Sequence, residues 1–150
     1  MNQYAGFTIY ITKSIFITVR IMHLSLLINL FVLFSFQLLA QQNAIIVRNI
    51  DSHTLKEKLE EDIHLVDVRT YKEYQAGHIA GAIQVDISRN DFLAEMNKLD
   101  KSKPIVLYCA IGARSTAAMR KIKLMGFKEI LNFKGGVREW KLKKYSLVKE

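Results

Sequence analysis

Ile105-Val106-Leu107-Tyr108-Cys109-Ala110-Ile111-Gly112-Ala113-Arg114-Ser115-Thr116-Ala117-Ala118-Met119-Arg120 decides how this chain is read. The first four residues are apolar and read as a buried strand. The last six read as the start of a helix. Between them a short loop carries Cys109, the one cysteine in 150 residues. A strand–loop–helix junction turns several backbone N–H groups toward one point and sets the positive end of a helix beside it. A thiol held there ionises more easily than a free thiol, whose pKa is about 8.5. Cys109 is therefore the candidate nucleophile. A single cysteine excludes an intrachain disulfide framework, a Cys-x-x-Cys redox pair and a cysteine-rich metal site.

The same alternation extends on both sides. Ile45-Ile46-Val47 reads as a short strand, Ile63 to Val68 as a second, Ala82 to Val85 as a third and Ile130-Leu131 as a fifth after the one at 105–108. Thr54 with Glu57, and Thr70 with Glu73, have the spacing of capping boxes that open helices. Phe92, Met96 and Leu99 share a helical face, Ser115 to Met125 forms a helix stopped by Gly126, and Val137 to Leu142 forms the last. Strands separated by helices imply parallel pairing with right-handed crossovers. The expected fold is α/β: an open, mainly parallel sheet of about five strands with helices on both faces. Ligands bind such sheets beyond the carboxyl ends of the strands. Cys109 lies at one such end, Asp67 and Arg69 at another.

The first forty residues are of another kind. Their only charged residues are Lys13 and Arg20, and Ile21 to Ala40 holds none. About twenty such residues, at roughly 1.5 Å each in a helix, match the ~30 Å hydrocarbon layer. The basic residues before the run keep its N-terminal end in the cytoplasm and send the rest of the chain across. Residues 1–40 are thus expected as an apolar leader helix, either a signal peptide cleaved after Ala40 or an uncleaved anchor, with a buried core helix as the third reading. Leu38 is larger than cleavage prefers two positions earlier, whereas the length suits an anchor. Met22 offers an alternative start that would make residues 1–21 an artefact. Residues 41–150 are expected as a single domain outside the cytoplasm, periplasmic if released and membrane-bound through residues 21–40 if not.

The formal charge is +8, and ten basic residues lie between Arg120 and Lys149. This run reads first as a solvated face, and second as a field that draws in small anions. Nucleic acid is disfavoured, because aromatic residues do not interleave with the basic ones as binding motifs require. His53 and His64 lack metal-ligand spacing, so no metal is expected.

Several separated motifs then carry a resemblance. Leu65-Val66-Asp67-Val68-Arg69 with Glu73-Tyr74, Gly77-His78-Ile79-Ala80-Gly81-Ala82, the loop Cys109 to Ser115, Gly126-Phe127, and Gly135-Gly136-Val137-Arg138-Glu139-Trp140 occur in the order found in a rhodanese domain. The chain resembles a single rhodanese domain over roughly 45–145. That resemblance implies a sulfurtransferase needing no cofactor. Cys109 would attack the outer sulfur of thiosulfate or a similar small anionic donor and hold it as a persulfide. Cyanide, a small thiol or a protein thiol would then take it. Ala110, Ile111, Gly112, Ala113 and Arg114 would bind the donor, the first four mainly through the backbone. Arg114 would either orient the anion or close the loop by bonding carbonyls. Asp67 and Arg69 would support the site from behind, His78 would hold the fold, Glu73 would cap a helix, and Phe127 and Trp140 would anchor the core. The six residues from Cys109 to Arg114 resemble the sulfur-transferring members, the related phosphatases having one more. The competing function is a persulfide carrier or protein-binding module with little turnover of free thiosulfate.

Overall fold

The computed structural model describes residues 3–41 and 45–149, with side chains placed at 16–37 and 45–149. The chain divides into two compact units, an N-terminal helix and a domain that begins at Ile45. The helix α1 (Gln3–Gln41) contains Phe16–Gln37, 22 residues long and apolar enough to cross a membrane. Three of its polar side chains bond within the helix: the Ser25 and Ser35 hydroxyls donate to the Met22 and Phe31 carbonyls, and the Asn29 amide donates to the Ser25 carbonyl. Such bonds hide polar groups that hydrocarbon would penalise. The cleavage point expected after Ala40 falls in the last turn of α1, beside residues 42–44, which lie outside the described residues.

The second unit is a five-stranded, wholly parallel sheet. Its strands are β1 (Ile46–Ile50), β2 (His64–Asp67), β3 (Ile83–Gln84), β4 (Ile105–Tyr108) and β5 (Glu129–Phe133), in the spatial order β1-β5-β4-β2-β3. The helices are α2 (Ser52–Lys58), α3 (Tyr71–Gln75), α4 (Phe92–Asn97), α5 (Ala113–Ile122) and α6 (Gly136–Leu142). Alternating residues of β4 divide between the two faces. Val106 and Tyr108 join Leu55 of α2, Tyr74 of α3 and Trp140 of α6, whereas Ile105 and Leu107 join Phe92 and Met96 of α4 with Ala118 and Ile122 of α5. All four residues of β4 are buried, which is why its sequence is a continuous apolar run and not an alternating one.

The α/β architecture expected from the sequence is the one observed, while several boundaries move. The first helix of the domain starts at Ser52, not after Thr54. Asp51 is its N-cap, its carboxylate accepting the Thr54 N–H at 2.9 Å, so Thr54 lies inside the first turn. The second capping box forms as expected, with Thr70 and Glu73 bonded reciprocally. Helix α5 begins two residues early, at Ala113, because Gly112 at φ +90° makes the turn and serves as N-cap. Strands β1 and β5 are each longer than their hydrophobic cores, since parallel pairing of Ile46–Ile50 with Glu129–Phe133 recruits the polar residues Arg48, Asn49 and Asn132.

At the end of β2, Asp67 and Arg69 form a buried bidentate pair, Nε to both carboxylate oxygens at 2.9 Å. Arg69 also donates to the Gly77 carbonyl at 2.8 Å, tying β2 to the turn after α3. Asp67 is wholly buried and Arg69 is 5% exposed, so removing one partner strands the other's charge. We expect Asp67→Ala to destabilise the protein by about 3–5 kcal/mol, measured by urea unfolding of the full chain in detergent.

Candidate active site

Chain direction places the site. From β2 the chain moves outward to β3 by way of α3 on one face, and from β4 it moves the other way to β5 by way of α5 on the opposite face. The strand order therefore reverses between β2 and β4, and a crevice opens beyond their carboxyl ends. The loop after β4 lies there, and Cys109 is its first residue.

The loop wraps its N–H groups around the thiol. Gly112 N–H lies 3.1 Å from Cys109 Sγ, and the Ser115 hydroxyl is at 3.7 Å. Burial pushes the thiol up. The N–H groups of Ser115 and Ile111, the Ser115 hydroxyl and the Gly112 N–H pull it down further, so it ends below the ordinary thiol value. The loop can face inward because its carbonyls are taken elsewhere. Val137 N–H of α6 donates to the Cys109 carbonyl at 2.9 Å and Arg138 N–H to the Ala110 carbonyl at 3.0 Å. That approach requires Gly136 at φ +59°, where a Cβ would lie 2.7 Å from the Ala110 carbonyl carbon.

Arg114 points from the first turn of α5 to α3. Its Nη1 and Nη2 bond the two Glu73 oxygens at 2.7 and 2.6 Å. Arg114 is thus held by a carboxylate on another element, not by the loop carbonyls that were one of its two expected uses. The guanidinium holds the Glu73 carboxyl at about 2, with the Thr70 hydroxyl and N–H assisting against partial burial. Glu73 raises Arg114 in turn, and the charge on Cys109 adds to that effect. A cation is therefore fixed near the thiol with part of its surface open to water, its side chain being 37% exposed. Ile111 is 57% exposed at the loop tip and makes an apolar rim.

The predicted residues are not all brought together. Cys109 to Arg114 form one cradle. Asp67 and Arg69 lie on the opposite sheet face, against Tyr108, whose ring centroid is 6.0 Å from the Arg69 guanidinium carbon. Their link to the cradle runs through the backbone of β4. His78 is buried, stacked on Tyr74 with ring centroids 3.7 Å apart and bonded to the Tyr74 carbonyl, a place in the core. Among the described residues no group of three His, Cys, Asp or Glu side chains is placed to hold a metal. Ser115 and the Glu73–Arg114 bridge were missed as site features. A serine in the first turn of a helix is a visible signal for a hydroxyl turned toward the thiol. Nothing local signals a pair 41 residues apart.

Comparison with known proteins places the chain in a family. The family model described as Rhodanese-like domain matches residues 51–143. A sulfurtransferase of Allochromatium vinosum is 35% identical over 96 residues, covering 63% of this chain and 88% of that protein. A putative sulfur carrier protein of Bacillus subtilis, YrkF, is 31% identical over 103 residues; the match covers 67% of this chain but only 55% of that protein's length. Among solved structures, a rhodanese-related protein from Thermoplasma volcanium superposes with a TM-score of 0.61 at 29% identity, covering 69% of this chain and 99% of that one.

The cradle has two measurable outcomes. Replacing Ser115 with Ala removes a hydroxyl that favours the thiolate, so the alkylation midpoint of Cys109 moves up in pH. Iodoacetamide labelling near neutral pH then slows by about threefold to tenfold. For Glu73 the folded pKa lies below the free value, so its contribution to stability is present above about pH 4.5 and is lost as the pH falls toward 2. Urea midpoints recorded across that window should drop for the wild type and change much less for Glu73→Gln.

Proposed function

Because this chain belongs to the rhodanese-like domain family, we propose that it is a sulfurtransferase in which Cys109 carries sulfane sulfur as a persulfide. The observation that carries the reading is the position of Cys109 Sγ at the strand–helix junction, 3.1 Å from the Gly112 N–H and 3.7 Å from the Ser115 hydroxyl. The Cys109 thiolate attacks the outer sulfur of thiosulfate or a similar donor. The donor's S–S bond breaks, sulfite leaves with the electron pair, and Cys109 keeps the outer sulfur as an anionic persulfide. An acceptor such as cyanide or a thiol attacks that outer sulfur, the new S–S bond breaks, and the Cys109 thiolate returns. The loop N–H groups face negative charge at each stage, so one rigid cradle serves the thiolate, the donor and the persulfide. Arg114, fixed by Glu73, adds a cation at the mouth that draws the anionic donor in.

A second reading is a persulfide carrier serving one protein thiol, with little turnover of free thiosulfate. The similarity to a putative sulfur carrier protein favours it, as does the exposed apolar Ile111, which suits a protein surface better than a small anion. The same cradle serves both. A phosphatase fits less well, because the six-residue loop resembles the shorter, sulfur-transferring type.

Lys13 and Arg20 ahead of the apolar stretch within Phe16–Gln37 support export of the domain. An exported compartment is oxidising, so the lone thiol there works alongside an external reductant.

Full-length protein incubated with thiosulfate and cyanide should release thiocyanate and show one added sulfur on Cys109 by mass. Cys109→Ser should reduce both to background. Persulfide without thiocyanate would select the carrier reading, and a folded protein that forms no persulfide from any sulfane donor would overturn both.

A further inference from the structure

Asn132 is a buried polar residue with no direct contact to the thiol. It lies on β5 between Asn49 of β1 and Leu107 of β4, on the sheet face that carries α5. It is wholly buried, yet its Oδ1 has no hydrogen-bond partner. Buried polar atoms without partners are rare and destabilising, and an apolar side chain among Ile130, Leu107 and Ala118 would avoid the loss. The amide nitrogen is used in full. Its two hydrogens go to Asn49 Oδ1 at 2.9 Å and Thr116 Oγ1 at 3.0 Å. Thr116 Oγ1 passes its own hydrogen to the Gly112 carbonyl at 2.7 Å. Because Thr116 Oγ1 donates to that carbonyl, it can only accept from residue 132, which fixes which way the amide points.

The relay ends on the peptide that matters for the thiol. Gly112 is the left-handed N-cap of α5, and its N–H is the donor 3.1 Å from Sγ. Its carbonyl belongs to the next peptide plane, together with the Ala113 N–H. In a trans peptide those two groups point in opposite directions. The Gly112 carbonyl is drawn down into α5 by the Thr116 N–H at 3.0 Å and the Ser115 hydroxyl at 3.2 Å together with Thr116 Oγ1, its shortest contact. This turns the Ala113 N–H outward, toward the loop mouth, and holds the dihedral angles that aim the Gly112 N–H at sulfur.

We propose that Asn132 and Thr116 are positioning residues for the Cys109 loop, acting as a relay from the β1–β5 edge of the sheet to the Gly112 carbonyl. The proposal rests on Cys109 being the reactive group, but not on which sulfur compound it uses. Neither side chain touches the reacting atoms. Their effect is on where the donors point, and so on how well the loop holds a negative charge on sulfur.

The test reads the thiol itself. In full-length protein, Asn132→Leu and Thr116→Val should each move the pH midpoint of Cys109 alkylation by iodoacetamide upward and slow labelling near neutral pH by about threefold to tenfold. The double variant should be no slower than the slower single, since both cut one chain. Thr116→Ser keeps the hydroxyl and should restore the wild-type profile. The urea midpoint of Asn132→Leu should equal or exceed that of the wild type, because the unpaired oxygen is gone. Alkylation profiles of Thr116→Val and Asn132→Leu that superimpose on the wild type would overturn the relay, as would Thr116→Ser behaving like Thr116→Val. Should Asn132→Leu fail to fold, the Thr116→Val and Thr116→Ser pair decides the question alone. Iodoacetamide involves no sulfur donor, so failure of the sulfurtransferase reading leaves this result unchanged.

Discussion

Two hydrogen bonds decide which way the Cys109 loop faces. A peptide plane that offers its N–H to one side offers its carbonyl to the other, so a loop can gather N–H groups around sulfur only if something takes its oxygens. The first turn of α6 does this, through Val137 and Arg138. That turn must come within contact of the loop backbone, and Gly136 permits it. Most of the architecture is arranged to make this meeting possible. Strand β5 lies beside β4, so α6 begins next to where β4 ends, and the parallel sheet puts both at the same edge.

The charged groups obey a related logic in two places. Asp67 and Arg69 are buried together and neutralise one another, with Gly77 and the Tyr108 ring filling the remaining contacts of the guanidinium. They hold the end of β2 and the turn after α3 in place. Glu73 of α3 and Arg114 of α5 meet from opposite faces beyond the carboxyl end of the sheet, and are only half-buried. There the carboxylate takes two donors of a guanidinium that has five, which leaves the arginine partly free to meet an anion. One pair serves the frame and the other the mouth of the site, although both are arginine–carboxylate bridges.

The sequence was most legible where local rules and burial agree. The continuous apolar run at 105–108 and the capping box at Thr70–Glu73 both stand as read, and the position of Cys109 between a strand and a helix is a local fact that the fold could not alter. Reading failed where a partner outside the stretch being read intervened. Asp51 took the capping role assigned to Thr54 because its carboxylate accepts the Thr54 N–H, which draws Thr54 into the first turn, whereas a Thr54 cap would have taken the Glu57 N–H. The extent of β1 and β5 was invisible because it depends on their pairing with each other, not on their own hydrophobicity. Asn132 and the bridge from Glu73 to Arg114 could not be assembled from spacing, since each acquires meaning only from what the sheet order places beside it.

The position of β1 has a consequence for how the chain reaches its final state. It is the first strand in sequence and sits at the sheet edge, and its one partner is the last strand, with Asn49 and Asn132 83 residues apart. Pairing across such a separation carries a large loop-closure entropy and makes for slow folding. A chain that emerges N-terminus first, from a ribosome or through a membrane channel, cannot complete this sheet until nearly all of the domain has come through. The thiol cradle is completed equally late, because the Val137 and Arg138 N–H groups that turn its loop follow β5 in the chain.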